Sequence, residues 1–205
     1  MPRKARENII APGTLYHIVA RGNNERRIFR DIRDYRKLLI IIKKTKEKFP
    51  FFLYTFNFIP NHYHMEIETQ DVPISKIMHN INFLYASYFH YRYKTSGHLF
   101  QDRFYSSLID KESYFWEVAR YIDLNSVRAG LAEKPENYRW SSYPIYYQKE
   151  YKGELIKLID RDRFLEYGGD DLKKSRLIYL EFVNDGFKSK KEPKFPKFPI
   201  NKKMI

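Results

Sequence analysis

Apolar and polar positions along the chain switch several times between a period of two and a period near 3.6, and those switches set the order of elements. Thr14 to Arg21 (TLYHIVAR) alternates and is rich enough in β-branched residues to predict a strand, closed by the loop Gly22, Asn23, Asn24. Asp31 or Asp34 then caps a predicted helix running through YRKLLIIIKKTKEKF, which stops at Pro50 because the residue before a proline avoids the helical region. Leu38, Ile41 and Ile42 form its inward stripe, and Lys43, Lys44, Lys46 and Lys48 read as a solvated face. Phe51 to Ile59 predicts an aromatic strand, Pro60 and Asn61 a turn, and His62 to Glu68 an alternating strand that completes a hairpin. Ile74 to Tyr93 carries apolar residues at 74, 77, 78, 81, 84, 85 and 88, a helical spacing. Phe100 to Ile109 predicts a fourth strand, and Asp110 or Ser113 caps a helix through YFWEVARYIDLNSVRA that ends before Gly130.

The resulting order, β-α-β-β-α-β followed by a helix, predicts an α+β fold of ferredoxin-like type: an antiparallel sheet with helices on one face and the other face free to bind. Residues 1–10 predict a flexible basic arm, 11–149 the main domain, 150–187 a small helical extension, and 188–205 a disordered Lys/Pro-rich tail. No internal repeat is present.

Composition narrows the function. Among 205 residues, 38 Lys and Arg against 25 Asp and Glu leave a formal charge of +13, with a pI near 9.6, which points to a polyanionic partner and to nucleic acid before membrane. The longest apolar run, Leu38 to Ile42, is far short of the ~20 residues of a spanning helix, and no secretory core begins the chain. The absence of cysteine excludes disulfides, zinc fingers, iron–sulfur clusters and thiol nucleophiles, and fits a reducing, cytoplasmic location. The 18 Tyr, 16 Phe and 2 Trp suit either stacking of single-stranded bases or a tyrosine-rich core, and composition does not choose between them.

His62 and His64, two apart on a strand, share a face and lie within one metal ion's reach, although the same spacing also fits two hydrogen-bonded histidines. On the last helix Tyr121 and Asn125 are four apart on one face, with Glu117 a turn earlier. Asn125 could serve as third ligand beside the two imidazoles, and three neutral ligands leave an ion's charge facing a phosphate. Tyr121 would then be a nucleophile in need of activation, or else a core aromatic. His17, His79, His90 and His98 have no partner at ligand spacing and read as structural.

The stretches GTLYHIVARGNN, FIPNHYHMEIET, GHLFQDRFYS, ARYIDLNSVRAGL and YRWSSY, spread over residues 12–143, resemble in the same order the single-tyrosine HUH transposases, and among them the REP-associated tyrosine transposases. The resemblance implies His62, His64 and Asn125 as metal ligands and Tyr121 as the nucleophile. It implies a divalent cofactor, Mg²⁺ or Mn²⁺, although imidazoles would also accept zinc or nickel. It further implies cleavage of single-stranded or hairpin DNA through a 5′-phosphotyrosine and transfer of the strand. Where such proteins usually carry His-Leu-Asn-Pro, this chain has Asp123-Leu124-Asn125-Ser126, and Asp123 falls on another face from Tyr121, which argues against its replacing the histidine. DNA contacts are expected from Arg3, Lys4 and Arg6 of the arm, from Arg21 and Asn23, and from Arg103. Relatives include homodimers and monomers, and no stretch here selects one. Alternatives are a non-catalytic nucleic-acid-binding module of the same fold, a domesticated transposase, and a replication or mobilisation nickase, the last disfavoured by length.

Overall fold

The computed structural model of the protein describes residues 12–109 and 111–189. Strand β1 (Leu15–Arg21) leads through a 3-10 turn at Asn23–Glu25 to helix α1 (Ile32–Lys48). The hairpin β2 (Phe51–Ile59) and β3 (His62–Thr69) follows, then α2 (Ile74–Tyr93) and β4 (Tyr105–Leu108). Helices α3 (Lys111–Asp123), α4 (Asn125–Arg128), α5 (Tyr143–Tyr147), α6 (Arg161–Leu165) and α7 (Leu172–Ser189) complete the chain. The sheet order is β2-β3-β1-β4 with every pairing antiparallel, which is the ferredoxin-like arrangement.

Local chemistry explains most boundaries. Both aspartates cap α1: the Asp31 side chain accepts from Arg33 N, and the Asp34 side chain reaches back to the backbone of the cap, a reciprocal box. Arg92 and Tyr93 of α2 also converge on Asp34, tying the end of α2 to the start of α1. At Gly22 a Cβ would lie 2.2 Å from Arg26 O, so the turn after β1 closes only around a residue with no side chain.

One face of the sheet is apolar. Ile18, Ala20, Phe56, Phe58, Tyr63, Met65 and Ile67 are buried there against α1 and α2, joined by Phe29, Tyr85 and Phe89. The opposite face, which the pattern predicts to be free, is covered: α3 packs across β2 and β3, and α7 packs behind α3. Gly186 makes the close approach possible: a Cβ there would meet the Arg120 side chain at 2.7 Å. Trp116, Tyr146, Phe164, Tyr179 and Val183 bury one another between these helices. The segment after residue 150 therefore shares the core of the domain. The amphipathic stripe of α7 is legible in the sequence; that its partner is α3 is not, because the two are far apart in the chain.

Three other expectations shift. The fourth strand is short because Phe100 to Arg103 forms a bridge to Gly22 and a bend, with Asp102 accepting from Arg103 N. The last helix divides at Leu124, so that Asn125 opens α4, and Ser113 lies inside α3. Lys46 pairs with Asp160 and the carbonyl of Leu158, not with solvent. The arm, Asp110 as a cap and residues 190–205 of the tail lie outside the described residues, while Lys188 and Ser189 close α7.

Candidate functional site

Strand periodicity sends His62, His64, Glu66 and Glu68 to the face that carries α3, and their neighbours Tyr63, Met65 and Ile67 to the apolar core. In register, His62 stands between Arg21 and Ile59, His64 between Val19 and Asn57, and Glu66 between His17 and Thr55. This polar row is the floor of the site. The rings of His62 and His64 lie 4.9 Å apart between centroids at 70°.

Each of the two imidazoles has one nitrogen engaged. His62 Nδ1 is 2.8 Å from Asn61 Oδ1, which can only accept, so that nitrogen carries the proton and Nε2 keeps a lone pair. His64 Nδ1 is 3.0 Å from Nε2 of His17. His64 Nε2 is buried and has no hydrogen-bond partner among the described residues. Burial pushes His17 and His62 down to about 3. It holds His64 well below the usual imidazole range, helped by the nearby cations Arg21 and Arg128. All three rings are thus neutral at pH 7, the state in which an imidazole nitrogen can ligate a cation.

Tyr121 projects from the last turn of α3 onto this row, its ring 5.8 Å from the rings of both His64 and His17, edge-on to each. Asn57, the cross-strand neighbour of His64, fixes the helix there. Its Nδ2 donates to Ile122 O at 2.9 Å and Asp123 O at 3.4 Å and lies 3.3 Å from Ser126 Oγ, so it spans the break between α3 and α4. Asn125 opens α4, 9% exposed. Arg128 Nη1 donates to Tyr121 O at 3.1 Å, and its guanidinium lies 5.0 Å over the Tyr121 ring. Two neighbours point elsewhere. Asp123 is buried toward β2 and α7, accepting from Thr55 at 2.8 Å and Tyr179 at 2.6 Å, with burial pushing it up to about 7. Glu117 is occupied by Arg120 at 2.5 Å.

The expected DNA contacts fall at one end of the sheet. Arg21 ends β1 beside His62, Asn23 N donates to Leu99 O at 2.8 Å, and Gln101 N donates to Arg21 O at 2.9 Å. Arg103 is exposed two residues further on, its carbonyl held by Asn82 at 2.8 Å. The arm residues Arg3, Lys4 and Arg6 lie outside the described residues. Sequence reasoning missed His17, Asn57 and Arg128. His17 was within reach of it: once β1 is paired antiparallel with β3, parity alone sends His17 to the same face as His64. Asn57 and Arg128 carry no such signal, since their roles depend on where α3 ends.

A ferredoxin-like α+β domain, with a His-x-His strand beneath a tyrosine-bearing helix, is the class that fold and site define. The family model described as IS200-like transposase matches residues 12–125, and the chain belongs to that family. Among solved structures, the REP-associated tyrosine transposase bound to a REP hairpin is similar in fold, with a TM-score of 0.60 and 19% identity over 76% of this chain and 93% of that one. No curated protein matches the chain in sequence. No helix among the described residues is long and apolar enough to cross a membrane.

Proposed function

We propose that this transposase-family chain is a metal-dependent tyrosine transposase that cleaves single-stranded or hairpin DNA and transfers the cut strand. The observation that carries the reading is the meeting of Tyr121 with His64, the inner imidazole of the His-x-His pair, whose buried Nε2 has no hydrogen-bond partner among the described residues. A core aromatic over two structural histidines would need no such unsatisfied nitrogen. The residues fit a divalent cation held by His62, His64 and Asn125. Among the described residues no three His, Cys, Asp or Glu gather for a metal, and the third ligand that the family resemblance implies is the amide of Asn125, which opens α4 just after the Tyr121 helix. Bound there, Mg²⁺ or Mn²⁺ supplies Lewis-acid polarisation of a phosphodiester.

In this mechanism the Tyr121 oxygen attacks phosphorus of a DNA phosphodiester. A tyrosine–phosphorus bond forms, the bond from phosphorus to the 3′ oxygen breaks, and the leaving oxygen takes up a proton as the 3′-hydroxyl while the phenol gives up its own. The product is a 5′-phosphotyrosine. Attack by the 3′-hydroxyl of another strand end reverses the bookkeeping, joining that strand and returning the phenol. Asn57 and Arg128 keep Tyr121 over the histidine row, and Arg128 brings a cation beside the nucleophile. The +13 charge, Arg21, Asn23 and Arg103 at the rim, and Arg3, Lys4 and Arg6 on the arm would hold the strand. The relative with a bound REP hairpin supports hairpin DNA as the partner.

The test is incubation with labelled hairpin oligonucleotides and Mg²⁺ or Mn²⁺, read on a denaturing gel. A covalent adduct that requires the ion and disappears in Tyr121→Phe is expected. Tight binding with no adduct across hairpin sets would instead favour a non-catalytic binding module or a domesticated transposase.

A further inference from the structure

We infer that His17 is a positioning residue for His64: it accepts the proton-bearing Nδ1 of His64 and thereby keeps Nε2 of that ring available as a ligand. The inference rests on the reading of His62 and His64 as metal-holding groups, and extends it to a third histidine, one on a different strand. An imidazole that binds a cation through one nitrogen has its tautomer and orientation set by what the other nitrogen meets. For His64 that partner is Nε2 of His17 at 3.0 Å.

Three features make this contact more than packing. His17 is 0% exposed and His64 2%, so water does not take the place of either partner. The rings stack at 5.2 Å and 28°, and His17 also sets its ring against Tyr121 at 5.8 Å, so it touches both a ligand and the nucleophile. The contact is diagonal in the sheet, since His17 is registered opposite Glu66 and His64 opposite Val19, and an aromatic-sized side chain is what spans that offset. The other histidines make different use of their rings: His79 stacks on exposed Phe83, and His90 bonds Thr95 within its own helix end. In the inferred assignment His17 is the Nδ1–H tautomer: its Nε2 then accepts at 3.0 Å, the proton of the pair sits on His64 Nδ1, and His64 Nε2 is left with its lone pair.

The experiment uses the full chain with His17 replaced in three ways. In His17→Gln the amide oxygen reaches the place of Nε2 and can accept. His17→Asn stops short of it, and His17→Phe fills the volume with no acceptor. Long-range ¹H–¹⁵N spectra of the metal-free protein report the His64 tautomer, and Mn²⁺ titration without DNA reports the ligand set. The expected result is an Nδ1–H tautomer for His64 in the wild type and in His17→Gln, lost in His17→Asn and His17→Phe. Mn²⁺ affinity should fall roughly 10- to 100-fold in those two variants, the range typical of removing such a partner. Adduct formation in His17→Asn should recover at high Mn²⁺. If Gln and Asn behave alike, or His64 keeps one tautomer throughout, the positioning role is overturned. Should His17→Phe fail to fold, the Gln and Asn pair still decides. A wild-type chain that holds the Nδ1–H tautomer yet binds no Mn²⁺ would instead overturn the metal reading beneath it.

Discussion

The two faces of the sheet are built by opposite rules. Under α1 and α2, adjacent apolar side chains fill space and any one contact is dispensable in kind if not in volume. Under α3 and α7 the strands present Thr55, Asn57, His17, His62, His64, Glu66 and Glu68, and order comes from named polar partners: Asn57 to the end of α3, Thr55 to Asp123, Glu68 to Tyr54 and Arg163. The unsatisfied buried atoms on the second face include His64 Nε2, Asn57 Oδ1 and both carboxylate oxygens of Glu66. Unmet polar capacity, and with it the means to bind something further, lies on the second face.

The sharpest contrast comes from neighbouring residues of β3. Ile67→Ala opens a cavity on the apolar face and should cost about 2–5 kcal/mol in urea unfolding. Glu66→Met, one residue away and facing α3, removes a buried carboxyl whose burial, together with Asp123, pushes it well above the usual range. It should leave the protein more stable by about 1–3 kcal/mol at neutral pH; a loss comparable to Ile67→Ala would erase the distinction between the faces.

Asp123 tests the polar face through pH. Its folded value of about 7 lies above the ordinary 3.8, so the folded chain binds the extra proton and this group's contribution is lost as pH rises through that window. The slope is about 1.4 kcal/mol per pH unit. Asp123→Asn should therefore gain on the wild type between pH 4 and 7 and run parallel to it above. Unfolding midpoints that differ by a constant amount across that range would contradict the assignment.

The smallest expected effect is at Arg128, exposed beside Tyr121. Arg128→Ala should slow adduct formation roughly tenfold, about 1.4 kcal/mol of barrier, while changing Mn²⁺ affinity far less and only upward, since the guanidinium contacts Tyr121 and reaches His64 only through its charge. A fall in metal affinity of the same size would place Arg128 among the ligand supports instead.

What could be read from the chain divides along the same line. β2 and α2 have the bounds their periodicity predicts, and Asp31 and Asp34 both cap α1, because such signals act within a few residues. His62, His64, Tyr121 and Asn125 were legible as two local pairs, and the fold brings Tyr121 against His64. The roles of His17 and Asn57 were hidden because they depend on register between strands and on the stop of a helix about seventy residues away. The covering of the second face was hidden likewise, since Tyr179 and Gly186 complement α3 only after the chain has returned over it.

The grip of α7 on α3 has a consequence for stoichiometry. The helix that bears Tyr121 is anchored by Tyr179 to Asp123 and by Arg120 to Phe182 of its own chain, and its tyrosine rests against its own chain's His64. Nucleophile and imidazoles of one chain thus face each other, and under the proposed reaction a single copy holds both groups for one cut. Two ends are then opened either by two copies side by side or by one copy acting twice, with the first strand still covalently tethered to whichever copy made the break.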